Sequence, residues 1–314
     1  MPDTSSHRRY WRALKPGDIV DVVAPSWGVP KPTLKQVEKF LSSLGLQARY
    51  PKDILGKDIL CANSLNKRTD YLLHAFQATD SAAVWSLRGG HGAAAILPAL
   101  YKLKTQKPKL FIGLSDITSL HLFLHHRWGW ATIHGPNLNW LQRGIIRKNH
   151  LVELERVILG KQRAIEFTGL KPMNAASKVR KKIKGKLLGG NLTVCTSLIG
   201  TKFLPPTFSG KILFFEEVGE RAYRLDRMLV QWEQAGLLKG VQAVVLGDVT
   251  EGEDPDGKDK TSQILRGFAE SQDFPVLSGI PCGHGDVQRP VPLGTRAVLE
   301  LGPRSKLICE VGCS

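Results

Sequence analysis

The sequence predicts an α/β protein, with an N-terminal parallel-sheet domain flanked by helices and a β-rich, mixed C-terminal domain. Three observations carry this. Short apolar runs that read as strands alternate with helical-period segments through about residue 160. A polar, basic stretch at 169–186 then interrupts the pattern, and strand-like runs are more frequent beyond it. The chain has 314 residues, of which 42% are hydrophobic and 23% charged, so it can bury two cores and is neither disordered, collagenous nor a coiled coil. The expected division is 1–168, a linker at 169–184, and 185–314.

The first strand is 18–23 (DIVDVV), a continuous apolar run ended by Ala24-Pro25-Ser26. Residues 33–44 place Leu34, Val37, Phe40, Leu41 and Leu44 at helical spacing, and 68–78 repeats this with Tyr71, Leu72 and Phe76. A strand at 82–87 breaks at Arg88-Gly89-Gly90, an apolar segment at 93–100 reads as helix, and a short strand at 110–112 breaks at Gly113. In the second half, 211–215 (KILFF), 243–246 (AVVL), 296–300 and 306–311 read as strands. A helix is expected over about 224–238 and a charged loop over 251–260.

The net charge is +16. Apart from 178–186 (KVRKKIKGK) the positive residues are scattered, and that run has no interleaved aromatics. It reads as a solvated linker, and nucleic-acid binding is not expected. Five widely spread cysteines argue against a disulfide framework and fit a reducing cytoplasm. Cys309 and Cys313 lack two further nearby ligands for zinc. No apolar run approaches the ~18 residues that span a bilayer. The polar stretch 1–10 does not read as a secretory signal.

Four stretches could carry chemistry. In 110–124 (LFIGLSDITSLHLFL) Ser115 stands between a strand and a helix, either as a nucleophile on a tight elbow or as a helix cap. In 86–93 (SLRGGHGA) the glycines permit either backbone N–H groups aimed at an oxyanion or simply a tight turn. In 212–227 a strand delivers Glu216 and Glu217 to its end, and alternation lets at most one face a given site. In 279–294 His284 lies between two glycines, free for proton transfer. A Ser, a His and a Glu are the parts of an acyl-transfer triad. His121 and His125 share a helix face but lack the third ligand a metal needs, and no cofactor is expected. Trp130, Trp140 and Trp232 read as packing residues. Arg88 reads equally as a carboxylate-binding group or as a loop anchor.

The chain resembles the LD-carboxypeptidase family, the serine peptidases that include murein tetrapeptide carboxypeptidases and microcin C self-immunity enzymes. The resemblance rests on GDIVDVVAPS (17–26), RGGHG (88–92), GLSDITSLHL (113–122), HGP (134–136), GKLLGGNL (185–192), FFEEVGERAYRLDRML (214–229) and GHGDVQRPVPLG (283–294), in the family's order. It implies Ser115 as nucleophile, His284 as general base, Glu216 as its carboxylate partner, and the N–H groups of Gly90 and Asp116 as oxyanion hole. Arg88, Gly89 and His91 are candidate substrate contacts. The sequence departs from the family pattern at His91, where an aromatic is usual, and at Glu217, where Asp is usual. The implied activity is metal-free release of the terminal D-Ala from a murein tetrapeptide by a cytoplasmic homodimer in peptidoglycan recycling. The alternative is cleavage of a peptidyl-nucleotide antibiotic by the same chemistry.

Overall fold

A computed structural model describes residues 10–141 and 144–312. Nearly all of the polar N-terminal stretch, and Cys313 of the C-terminal cysteine pair, lie outside the described residues.

The first sheet contains β1 (Ile19–Val23), β2 (Gln47–Arg49), β3 (Ser81–Ser86), β4 (Leu110–Gly113), β5 (Thr132–His134) and β12 (Val291–Leu293), in the order β12-β5-β4-β3-β1-β2. Its strands are parallel except for β12, which runs antiparallel to β5 at one edge. The second sheet contains β6 (Ala164–Thr168), β7 (Lys171–Pro172), β8 (Lys181–Asn191), β9 (Lys211–Val218), β10 (Ala243–Thr250), β11 (Val276–Ser278), β13 (Arg296–Leu301) and β14 (Lys306–Glu310), in the order β6-β14-β13-β8-β9-β10-β11-β7. Its centre, β8 to β11, is parallel, and antiparallel strands flank it. The helices are α1 (Pro32–Ser43), α2 (Leu65–Gln77), α3 (Leu97–Lys102), α4 (Thr118–Phe123), α5 (Leu138–Leu141), α6 (Lys148–Ile158), α7 (Leu192–Ser197), α8 (Ala222–Gln234) and α9 (Thr261–Ser271).

Successive residues of the buried strands feed opposite faces, as continuous apolar runs require. Trp85, Ile112, Ile212 and Phe214 enter one apolar cluster, whereas Val84, Phe111, Leu213 and Phe215 enter another. Both clusters draw on both sheets.

The expected linker differs most from what the chain forms. Residues 171–172 are β7, and 181–184 begin β8, paired antiparallel to β13. The cause is a period of two hidden by charge. Ile183 and Leu187 point inward while Lys182 and Lys184 face solvent, and Lys182 pairs with Glu300 at 2.7 Å. Two strands also cross the expected boundaries. β6 falls within 1–168 but pairs with β14 of the second sheet, and β12 falls within 185–314 but completes the first.

Strand β8 approaches β9 closely at a pair of glycines. Gly189 has φ +130°, and a Cβ there would lie 1.9 Å from the Phe214 carbonyl oxygen. That oxygen belongs to a central strand and cannot withdraw. Gly189→Ala is therefore expected to destabilise the protein by about 3 kcal/mol or more, read as a lower midpoint in chemical denaturation.

Candidate active site

Ser115 follows the carboxyl end of β4 and opens a 3-10 turn at Ser115–Ile117 that leads into α4. The helix expected after Ser115 is thus three pieces, this turn, α4 and a π turn at Leu124–Trp128. Ser115 is not a helix cap. The extended residue before the turn is Leu114, and Ser115 itself has φ +68°. Glu251 is the other non-glycine with positive φ among the described residues. Such a backbone costs of order 1–3 kcal/mol and persists only where surroundings impose it. Here they do. Asn137 brackets Leu114, its Oδ1 accepting from the Leu114 N–H and its amide donating to the Leu114 carbonyl. The Ser115 side chain is thereby turned out at the sheet's carboxyl edge.

The loop 88–92 packs directly against this turn. A Cβ on Gly89 would lie 2.8 Å from Ser115 Cβ and 3.2 Å from Ser115 Oγ, so only glycine lets the backbones meet. Gly90 has φ +111° and lies under the Trp27 ring, where a Cβ would sit 2.4 Å from the ring carbons. Asp116 fastens the assembly from beneath. Its buried carboxylate accepts from Ser26 Oγ at 2.5 Å and from the Ala93 N–H at 2.8 Å. Burial raises its pKa, against those hydrogen bonds. Three separated motifs, around Ser26, Gly89 and Ser115, thus form one structure. Arg88 acts as an anchor: it donates to the Gly28 carbonyl at 2.9 Å, and its guanidinium lies over Trp27. His91 is exposed on the same loop.

The two glutamates at the end of β9 are both buried, not solvated, and they do different things. Glu216 Oε2 accepts from His284 Nδ1 at 2.7 Å. Glu217 points the other way and accepts from Asn191 Nδ2, the Thr193 N–H and the Val218 N–H at 2.7–2.9 Å. It therefore ties β9 to the junction of β8 and α7. Burial, and then the neighbouring Glu216 charge, raise the Glu217 pKa. Burial also acts to lower the His284 pKa, but the charge and hydrogen bond of Glu216 oppose it and leave it raised above the usual histidine value.

The loop bearing His284 is held from outside. Asp286 pairs with Arg147 at 2.7 Å, the Gln288 N–H donates to His150, and Arg289 pairs with Glu153 at 2.6 Å. Trp140 packs edge-on against His284, with ring centroids 6.0 Å apart. His284 Nε2 is buried with no hydrogen-bond partner. The His–Glu half of the constellation is closed, and the Ser–His hydrogen bond is not formed. Catalytic hydrogen bonds often tighten only around substrate.

His121 is committed elsewhere. Its nitrogens bond Thr132 Oγ1 and the Gly113 carbonyl, and burial lowers its pKa to about 4. Trp130 and Trp232 are core residues. Three contributors escaped the reading of the sequence by role: Asn191, Ser26 and His134. Each sits in a motif whose order was visible, but nothing local reveals a partner far away in the chain.

A strained serine beside a glycine loop and a buried His–Glu pair define the class of a serine hydrolase. The chain belongs to the LD-carboxypeptidase family. The family's N-terminal domain matches residues 20–135 and its C-terminal domain residues 184–299. The chain is accordingly a serine-type carboxypeptidase. It is 32% identical to a Bacillus subtilis protein named "Probable murein peptide carboxypeptidase", over 96% of this chain and 95% of that one. It is 29% identical to the murein tetrapeptide carboxypeptidase of Pseudomonas aeruginosa, over 90% and 92%. The crystal structure of muramoyltetrapeptide carboxypeptidase from Oxalobacter formigenes superposes with a TM-score of 0.79 at 27% identity, covering 93% of this chain and 98% of that one. Among the described residues, no helix is long and apolar enough to cross a membrane.

Proposed function

We propose that the protein releases the terminal D-Ala from murein tetrapeptides through Ser115, His284 and Glu216. The observation that carries this is the 2.7 Å hydrogen bond that His284 Nδ1–H donates to buried Glu216, in a protein whose strained serine sits at the carboxyl edge of the neighbouring sheet. Ser115 Oγ attacks the carbonyl of the bond between an L-centre and D-Ala. His284 Nε2 takes the hydroxyl proton and returns it to the leaving amine. Glu216 keeps the Nδ1–H tautomer and stabilises the imidazolium. The N–H groups of Gly90 and Asp116 receive the oxyanion, and water, activated by His284, hydrolyses the acyl-enzyme. In this reading the N-terminal unit supplies Ser115 and the C-terminal unit supplies Glu216 and His284. Gly89 lets the loop approach, Arg88 holds it, and His91 stands at its exposed rim. A cytoplasmic homodimer acting in peptidoglycan recycling accompanies the reading, and the +16 charge suits an anionic peptide.

The test is D-Ala release from a purified murein tetrapeptide, with and without EDTA. Release that survives EDTA is expected. No release by folded protein would sink the substrate assignment.

A further inference from the structure

His134 closes β5 with its Cα opposite Gly113 of β4 on one side and Val291 of β12 on the other. Its side chain is fully buried. The ring stands edge-on to Phe214, with centroids 5.5 Å apart, and tilts against His121 at 6.0 Å. Neither ring nitrogen has a hydrogen-bond partner, and Glu216 Oε1 has none either. These orphaned atoms face each other: His134 Nε2 lies 3.7 Å from Glu216 Oε1.

A buried polar atom without a partner costs of order 1–3 kcal/mol, so two that face one another across less than an ångström of excess distance are poised to bond. The groups facing His134 are His121 from α4, Glu216 from β9, and His284 from the loop after β11. Burial, and then the two neighbouring histidines, hold its pKa well below the ordinary histidine value, so the ring is neutral. A neutral imidazole has one N–H to give, and Glu216 Oε1 is the acceptor in reach.

We propose that His134 is a positioning residue whose Nε2–H donates to Glu216 Oε1 and so fixes the carboxylate with its other oxygen on His284. The proposal rests on the peptidase reading for its catalytic consequence but not for the contact itself. With both oxygens engaged, the carboxylate cannot rotate away from His284. Its negative charge is also shared between two donors. Removing the His134 donor leaves the delocalised carboxylate charge to His284 alone, which strengthens its hold on a protonated His284. His284 then keeps its proton to higher pH, and the acid limb of kcat/KM moves upward.

Two variants separate position from packing. His134→Phe keeps a ring of similar size and removes the donor. His134→Gln places an amide N–H near Nε2. The first is expected to lower kcat by roughly 10- to 100-fold with little change in KM, and to shift the acid limb up. The second is expected to recover most of kcat and return the limb toward wild type. In a Glu216→Gln background His134→Phe should add little, because the residues act as one unit.

Ring-nitrogen NMR of the histidines reads the contact without substrate. It should find His134 as the Nε2–H tautomer across the titration, and His284 titrating at higher pH in His134→Phe than in wild type. An Nδ1–H tautomer at His134, or a His284 titration unmoved in a folded His134→Phe, overturns the proposal. If His134→Phe does not fold, the tautomer in wild type and the Gln variant decide. If wild type releases no D-Ala, the peptidase reading fails, while the spectra still decide whether His134 holds Glu216.

Discussion

Ser115→Ala is expected to lower D-Ala release by roughly 10⁴-fold or more while leaving the fold intact. The loss follows from chemistry that no neighbour can replace. In the proposed mechanism the glycine loop and the Asp116 turn would still receive an oxyanion, and Glu216 and His284 would still activate water, so a small residual rate is allowed. Stability should respond differently. Ala keeps a Cβ and therefore keeps the strain of φ +68°. Ser115→Gly removes both hydroxyl and strain, and should be equally inactive yet more stable by about 1 kcal/mol. The measurement is kcat by D-Ala release beside thermal or denaturant unfolding of wild type and both variants. A Ser115→Ala enzyme with near-normal kcat would remove Ser115 from the mechanism. A Ser115→Gly variant no more stable than Ser115→Ala would show that the elbow holds no strain.

β1, β3 and β4 of the first sheet were readable because they are buried apolar runs and α1 and α2 show their period openly, whereas β5 and β12, three residues each, were not read as strands. β2 escaped because Gln47–Arg49 is short and polar, at the sheet's edge. β8 escaped because lysines on its outward face outnumber the inward Ile183 and Leu187 and disguise a strand as a linker. The site was readable as residue types in motifs, but not as contacts. Ser115 stands two residues after Gly113, and His284 stands between two glycines. His134 and Asn191 stand in segments equally distinct, yet their partners, Glu216 and Glu217, lie on β9, far from His134 in sequence. Local pattern shows which residues are unusual, whereas only the meeting of the carboxyl ends of β5 and β9, with β4 and β8 paired beside them, shows what each one touches.

The adjacent glutamates give the sharpest separation of catalysis from folding. Glu216→Gln preserves shape and removes the charge. The amide can present a donor to His284 Nδ1, which favours the wrong tautomer, and it cannot stabilise an imidazolium. A fall in kcat of roughly 10³- to 10⁴-fold is expected, with modest change in stability. The raised pKa of His284 depends on the Glu216 charge and hydrogen bond. In the variant, burial acts with less opposition, so His284 should lose its proton at lower pH than in wild type. Glu217→Gln should instead cost stability and spare activity. Glu217 accepts from Asn191, Thr193 and Val218, all donors. An amide turns its own N–H groups toward some of them and leaves buried donors unpaired, at a cost of about 1–3 kcal/mol in stability. Because its carboxylate points away from His284, kcat should change by no more than a few-fold. Paired measurements of kcat and unfolding free energy test both residues together. Loss of activity in Glu217→Gln with retention in Glu216→Gln would exchange their roles. Equal loss in both would mean that the carboxylates act on His284 as a coupled pair rather than as one catalytic and one structural group.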